Sequence, residues 1–480
     1  MKKMAKNIVV SVVFVALMAG ILYRVKDVLD LNVQDGGYAM ERFYEQPADS
    51  VEVLNLGSSH MYTSANPAVL WDLYGIASYN LGASMQPVWN TYYYLQEALK
   101  YQHPKVIVMD VFAVSKTADF QESQCVGMNT QGLKVSQTRM ENVQVSVANE
   151  SEDVDYFLGF PIYHTRYDDI RESYFRDDHG DGSGVNYKGF ALQCISTTPV
   201  GGFTDVASVE DVNSLTDKNR EYLERIIALA KQEEIPLLLV VAPYTGITYE
   251  DKKYYNAVEQ MVQDAGSGDG VAFVDFNEMC EEIGLDPQND FAEGNHMNYY
   301  GSEIYSKFYG AYLMERYDLT DHRGDEKYAT WDADSAFYKK KAANVDIWKT
   351  EEGAAYLKKV FAQQDRYTIG ILLSGDWYQE ELPQLAVLEE QGLDIWNKNM
   401  FFIQNGEQVY AINCGEEAGD YYDNAYGEAA ACDRGMLYLD GIRDFVTDTG
   451  INLVIYDNDL GELVDAVGIC NDGTIVRTED

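Results

Sequence analysis

From Val51 onward, short apolar runs alternate regularly with helical stretches, and this rhythm constrains the fold more than any other feature. Strands apolar at nearly every position are buried on both faces, the pattern of a parallel sheet flanked by helices in an α/β architecture. The first run, Val51–Leu56, closes in the turn Gly57-Ser58-Ser59-His60, and Pro67 suits the first turn of the helix that follows. A second strand, Ala77–Leu81, ends at Gly82. Trp89, Tyr92, Tyr93, Gln96 and Leu99 then recur at helical spacing, and Val106–Met109 makes the third strand.

Between about 112 and 214 the rhythm is lost, which predicts a long insertion. Its polar stretches suit a substrate wall or lid, and equally a peripheral elaboration. The rhythm resumes with a helix over Thr216–Glu233 and a buried strand within Pro236–Pro243. A helix near Tyr249–Gln263, a strand at Val271–Phe276 and a closing helix over Tyr300–Met314 complete this part.

The polar residues 318–334 read as a linker, leading to a short helix near Glu351–Ala362. Strand-like runs at Thr368–Leu373, Met400–Gln404, Val409–Ile412, Met436–Leu439 and Leu453–Tyr456 then predict a mostly β domain. The expected organisation is an N-terminal segment over 1–35, an α/β domain over 36–345 and a C-terminal mostly β domain over 346–480.

At the N-terminus, Lys2, Lys3 and Lys6 precede an apolar run from Ile8 to Tyr23, broken only by Ser11 and Gly20. The run is short against the roughly 20 apolar residues of a spanning helix. Leu17, two positions before Ala19, spoils the small-residue pattern of a cleavage site, so an uncleaved transmembrane anchor is expected. With the lysines inside, everything after about Arg24 lies outside the cytoplasm of a single-pass cell-membrane protein.

The 78 acidic against 36 basic residues give a net charge of −42, which repels phosphate backbones and argues against nucleic acid as a partner. Six cysteines, Cys125, Cys194, Cys280, Cys414, Cys432 and Cys470, form no Cys-x-x-Cys pair, so neither metal nor cofactor is expected. They are either buried thiols or, outside the cytoplasm, disulfide partners, with Cys414, Cys432 and Cys470 the candidates.

A serine on an exposed turn at a strand's C-terminal end becomes a nucleophile when a histidine can take its proton, and open α/β sheets bind ligands at that edge. Ser59 stands on such a turn. His296 lies far along the chain in Glu293-Gly294-Asn295-His296-Met297-Asn298, just before the closing helix. A carboxylate three residues before a histidine can curl back onto Nδ1 and leave Nε2 facing the nucleophile. Glu293 is the expected carboxylate and Asp290 its competitor. His60, beside the nucleophile, and His164 with Arg166, in the insertion, are candidates to line a substrate groove.

Gly57-Ser58-Ser59 resembles the Gly-Asp-Ser motif of the SGNH (GDSL-type) hydrolases, and Glu293-Gly294-Asn295-His296 resembles their Asp-x-x-His block. The likeness covers roughly residues 50–316 without the insertion. It implies an oxyanion hole built on the backbone N–H groups of Ser59 and Gly82. Leu56-Gly57-Ser58-Ser59-His60, followed by His296-Met297-Asn298 and Gly301, is most similar to membrane-associated members that modify cell-surface polymers, the alginate O-acetylation and teichoic acid D-alanyl transfer proteins. Glutamate replaces the family's usual aspartate. The third strand ends Met109-Asp110-Val111-Phe112, without the asparagine that many members use as an oxyanion donor.

The resemblance implies a serine-dependent ester hydrolase or O-acyltransferase acting on acyl groups of a cell-surface glycan or polymer, served by a membrane acyl-transfer protein. The rival expectation is a catalytically inactive SGNH-like scaffold or binding protein of the cell envelope. The C-terminal region, around Gly450–Asp465, faintly resembles carbohydrate-binding-like domains, a pattern that equally suits a spacer or docking module.

Overall fold

The computed structural model describes residues 2–29, 37–121, 123–159, 187–192, 202–264, 270–374, 382–393, 400–405, 408–413, 421–423, 429–433, 436–439, 442–444 and 450–477. The chain divides into two compact units, Met1–Tyr338 and Lys339–Asp480.

The first unit is built on a parallel sheet of β1 (Val53–Gly57), β2 (Ser78–Gly82), β3 (Val106–Asp110), β4 (Leu237–Val241) and β5 (Val271–Asp275), in the order β2-β1-β3-β4-β5. Its helices are α1 (Lys2–Leu29), α2 (Gly37–Tyr44), α3 (Ser59–Ser64), α4 (Pro67–Tyr74), α5 (Val88–Ala98), α6 (Ser123–Thr130), α7 (Gln137–Ser146), α8 (Asp153–Leu158), α9 (Asp217–Gln232), α10 (Tyr249–Asp264) and α11 (Tyr299–Arg316). The hairpin β6 (Phe291–Glu293) and β7 (His296–Met297) precedes α11.

Successive side chains of a strand point to opposite faces. Leu54, Leu56, Ile107, Met109, Leu237, Leu239 and Val241 pack on one face with Phe43 of α2, Trp89 and Tyr94 of α5, Leu223 and Ile226 of α9 and Val258 of α10. Val53, Val106, Val108, Leu238 and Val240 pack on the other with Met61, Leu70, Tyr305, Tyr309 and Leu313. Each buried Leu or Val contributes about 1.5–3 kcal/mol relative to exposure, which favours strands that are mostly apolar, with Asn55 of β1 and Asp110 of β3 as buried polar exceptions. The α4 start follows from its sequence: Asn66 Oδ1 accepts the Ala68 N–H at 3.0 Å and Pro67 opens the first turn.

Two expectations are corrected. The insertion is not irregular throughout: α6, α7 and α8 bury Val126, Val143, Val147 and Tyr156 against one another, whereas its described residues 187–192 and 202–214 form no helix or strand. Residues 318–334 do not form a continuous linker, because helix α12 (Ala329–Trp348) begins inside them. Trp331 is buried, its indole N–H donating to Ser78 O at 3.1 Å, and Trp71 donates to Asp332 at 3.0 Å. Polar composition hid a helix start that two tryptophans tie to the fold.

α1 covers the N-terminal apolar run, and Ile8, Val9, Phe14 and Leu17 are each more than half exposed, at 57, 61, 63 and 63%. Among the described residues, no helix is long and apolar enough to cross a membrane, so the expected transmembrane helix is not found among them.

The second unit is mostly antiparallel β. One sheet contains β8 (Tyr367–Ser374), β9 (Met400–Asn405), β10 (Gln408–Asn413), β15 (Gly450–Asp457), β16 (Glu462–Ile469) and β17 (Ile475–Arg477), in the order β10-β9-β8-β15-β16-β17. A second contains β11 (Tyr421–Asp423), β12 (Ala429–Asp433), β13 (Met436–Leu439) and β14 (Ile442–Asp444), paired in sequence order. Leu357 and Val360 of α13 (Gly353–Phe361) and Leu388 of α14 (Pro383–Glu390) cover Ile369, Ile371, Leu453 and Ile455. α14 had no sequence expectation.

Cys280 is a buried thiol whose pKa burial pushes up to about 12. Cys194, Cys414 and the side chain of Cys432 lie outside the described residues. Among the described residues, no group of three or more His, Cys, Asp or Glu side chains could hold a metal ion.

Candidate active site

The serine turn begins at Gly57, where φ is +154° and a Cβ would lie 3.0 Å from Met61 Cβ and 3.1 Å from Asp110 Cβ. Ser58 caps α3, its carbonyl accepting from Met61 N at 3.0 Å and its hydroxyl facing His60 N at 3.4 Å. Ser59 thus opens a helix at the C-terminal end of β1.

His296 reaches it from the opposite side of the sequence. The turn joining β6 to β7 is anchored by Gly246 N–H, which donates to Gly294 O at 2.6 Å. Asn298 caps α11, accepting from Tyr300 N at 2.9 Å and Gly301 N at 3.2 Å while its amide donates to Asn289 O at 2.6 Å. The histidine is therefore held between an anchored hairpin and a capped helix. Its Nε2 lies 2.8 Å from Ser59 Oγ, and its Nδ1–H donates to Glu293 Oε1.

Glu293 is the carboxylate on the imidazole. Its second oxygen accepts the Asn295 N–H at 2.9 Å. Asp290 is buried and serves the loop, accepting from Asp286 N at 2.7 Å through its carboxylate and from Asn298 N at 3.1 Å through its carbonyl.

These bonds set the tautomer. A carboxylate only accepts, so Nδ1 carries the proton and Nε2 offers a lone pair to the serine hydroxyl. Burial depresses the His296 pKa below the ordinary imidazole value of 6.5; the Glu293 charge opposes that shift and His60 adds to it. The imidazole is accordingly neutral at pH 7, as a base must be.

Gly82 pairs with Gly57 in the β1–β2 register, and a Cβ on it would come within 2.2 Å of the Gly57 carbonyl oxygen. Only glycine permits that approach. The Ser59 and Gly82 N–H groups, which the resemblance assigned to an oxyanion hole, are carried by the neighbouring C-terminal ends of β1 and β2.

His60 is corrected. Its side chain is 1% exposed and its Nδ1 lies 3.0 Å from Asp110 Oδ2, so it does not stand on an open substrate wall. His164 and Arg166 lie outside the described residues.

Composition gave no sign of two further groups around the site. Asn55, Asn80 and Tyr309 form a buried chain: Tyr309 O–H donates to Asn55 Oδ1 at 2.7 Å, Asn55 to Asn80 Oδ1 at 2.8 Å and Asn80 to Ala65 O at 2.6 Å. It ties α11, β1, β2 and the end of α3 together. The insertion also reaches this region. Asn129 of α6 donates to Ser84 O at 3.0 Å, and later in the insertion Lys188 O accepts from Asn80 N at 2.8 Å while Ala191 N donates to Tyr62 O at 3.0 Å. Lys188 is buried against the Trp331 ring and pairs with Asp334 at 2.9 Å, which fixes this segment beside the edge strand β2.

The arrangement is competent for one step. Ser59 Oγ can attack a carbonyl as Nε2 takes its proton, with Glu293 accepting from the imidazolium so formed.

No family model matches the chain, and no curated protein does. Among solved structures it is similar to one described as a lipolytic protein of the G-D-S-L family from Desulfitobacterium hafniense DCB-2, with 10% sequence identity and a TM-score of 0.28 over 54% of this chain and 98% of that one. A likeness at that score carries no functional weight, so the reading that follows rests on Ser59, His296 and Glu293.

Proposed function

We propose that the first unit is a serine-dependent acyl-transfer enzyme of SGNH type, either an ester hydrolase or an O-acyltransferase, acting on acyl groups of a cell-surface glycan or polymer outside the cytoplasm. One observation carries the reading: Ser59 Oγ lies 2.8 Å from His296 Nε2, with Glu293 on the far nitrogen. Attack forms the bond from Ser59 Oγ to the acyl carbon, and collapse expels the alcohol, which leaves with the proton held on Nε2. Water then releases the acid, or a sugar hydroxyl takes the acyl group.

Lys2, Lys3 and Lys6 ahead of an apolar run, and the exposure of its described side chains, support a membrane tether through α1. A membrane protein that delivers acyl groups is the partner such a tether suits. The rival reading, an inactive envelope scaffold, draws on the missing asparagine after the third strand, which ends Met109-Asp110-Val111-Phe112, and on Glu293 in place of the resembled family's usual aspartate.

The test offers 4-nitrophenyl acetate to the purified chain with and without a soluble oligosaccharide, following nitrophenolate by absorbance and acetylated sugar by mass spectrometry. Nitrophenolate release that depends on Ser59 is expected. Acetylated sugar marks a transferase and free acetate an esterase. No Ser59-dependent release under either condition favours the scaffold.

A further inference from the structure

His60 is a buried imidazole that the proposed chemistry does not use. It follows the nucleophile directly, yet its ring turns into the protein, stacked on Phe112 at 4.5 Å between centroids and meeting Tyr244 edge-on at 4.8 Å. These two aromatic contacts fix the ring plane. Its Nε2 is buried without a protein partner among the described residues, so the ring's one such hydrogen bond runs from Nδ1 to Asp110 Oδ2 at 3.0 Å.

Asp110 gathers more than this histidine. Oδ2 also accepts the N–H of Ala242, just past β4, at 2.9 Å, and Oδ1 accepts the N–H of Phe112, just past β3, at 2.9 Å. The side chain at the end of β3 therefore holds the chain leaving β3, the chain leaving β4 and, through His60, the first turn of α3. Gly57 makes the arrangement possible, since a side chain there would press on Asp110 Cβ and Met61 Cβ.

We propose that His60 is a positioning residue for Ser59, clamping the start of α3 through Asp110 to the C-terminal ends of β3 and β4 and so directing Ser59 Oγ at His296. The inference rests on the reading of Ser59 as nucleophile. In a short helix whose second residue is clamped, the first cannot rotate about the helix axis without breaking the Nδ1 bond or unstacking the ring. Because a misplacement of about 1 Å at a reacting group can cost roughly 100-fold in rate, such a clamp bears on the chemical step rather than on substrate affinity.

Two amide substitutions separate the hydrogen bond from mere occupancy. In His60→Asn the amide nitrogen takes the place of Nδ1 and can still donate to Asp110. In His60→Gln a polar amide of similar bulk carries its donor at the Nε2 distance, away from Asp110. The full chain in detergent is labelled with a fluorophosphonate, and kinact and KI are measured for wild type and both variants, with thermal melting of each.

The expected result is that H60Q loses on the order of 10- to 100-fold in kinact at unchanged KI, the signature of misplacement, whereas H60N keeps most of the wild-type rate. Equal kinact in H60Q and wild type overturns the proposal, as does a loss of the same size in both variants. If H60Q does not melt cooperatively, H60N decides: near-wild-type labelling supports the clamp and a large loss refutes it. An unlabelled wild type sinks the nucleophile reading itself, and the His60 role with it, an outcome distinct from labelled wild type with an unaffected H60Q.

Discussion

Glu293 and His296 face each other as a register pair across the β6–β7 hairpin, and the carboxylate takes the imidazole Nδ1–H on one oxygen and the Asn295 N–H on the other. Directly opposed residues have Cβ atoms about 4.5–5.5 Å apart, a separation that the longer glutamate side chain can bridge. The pair is thus built by the hairpin, and Gly246 anchors the hairpin's turn.

The pH dependence of Ser59 labelling follows from this pair. Burial holds the His296 pKa below 6.5, so the rate should rise with pH to a midpoint below 6.5 and level off above it. Glu293 raises that pKa; Glu293→Gln removes the effect and moves the midpoint further down. It also frees the ring to adopt the wrong tautomer, and the plateau should fall by about 10²- to 10⁴-fold. A midpoint above 6.5 in the wild-type rate profile would contradict the assignment of His296 as the base.

Gly82→Ala should damage stability and chemistry together. The added methyl would sit 2.2 Å from the Gly57 carbonyl oxygen, and backbone must move to admit it. The cost in chemical denaturation should be about 1–3 kcal/mol, the scale of overpacking. Labelling of Ser59 should also drop, because the β1 end that carries it shifts. A variant with unaltered stability and labelling would show that Gly82 does not abut the serine turn.

Tyr309→Phe deletes the hydroxyl that serves Asn55 Oδ1 in the interior. An acceptor left without its donor costs about 1–3 kcal/mol. The loss should appear in urea midpoints, with Ser59 labelling reduced less than in Glu293→Gln, because the tyrosine acts only through the strands.

Much of the first unit is legible in the chain itself. The strands can be read because, in a run such as Leu237–Val241, Leu238 and Val240 face one layer of helices and Leu239 the other, which makes the run apolar throughout. Ser59 and His296 can be paired from local motifs, each beside its own structural marker: a glycine turn after a strand and an asparagine cap before a helix. The His60–Asp110 bond is a different matter. Fifty positions separate the partners, and they meet only because β1 lies next to β3 in the sheet, an order that no local pattern encodes. The start of α12 was hidden for a related reason: Trp331 earns its burial from Ser78 and its neighbours, not from its polar flanks.

The most direct measurement is fluorophosphonate labelling of the purified full chain, with intact mass and peptide mapping, in wild type and Ser59→Ala. A single adduct on the peptide carrying Ser59, absent from Ser59→Ala and strongly slowed in His296→Ala, is the predicted result. A wild-type protein that takes no label, or a Ser59→Ala variant that takes as much as wild type, would contradict the claim that Ser59 is a nucleophile served by His296.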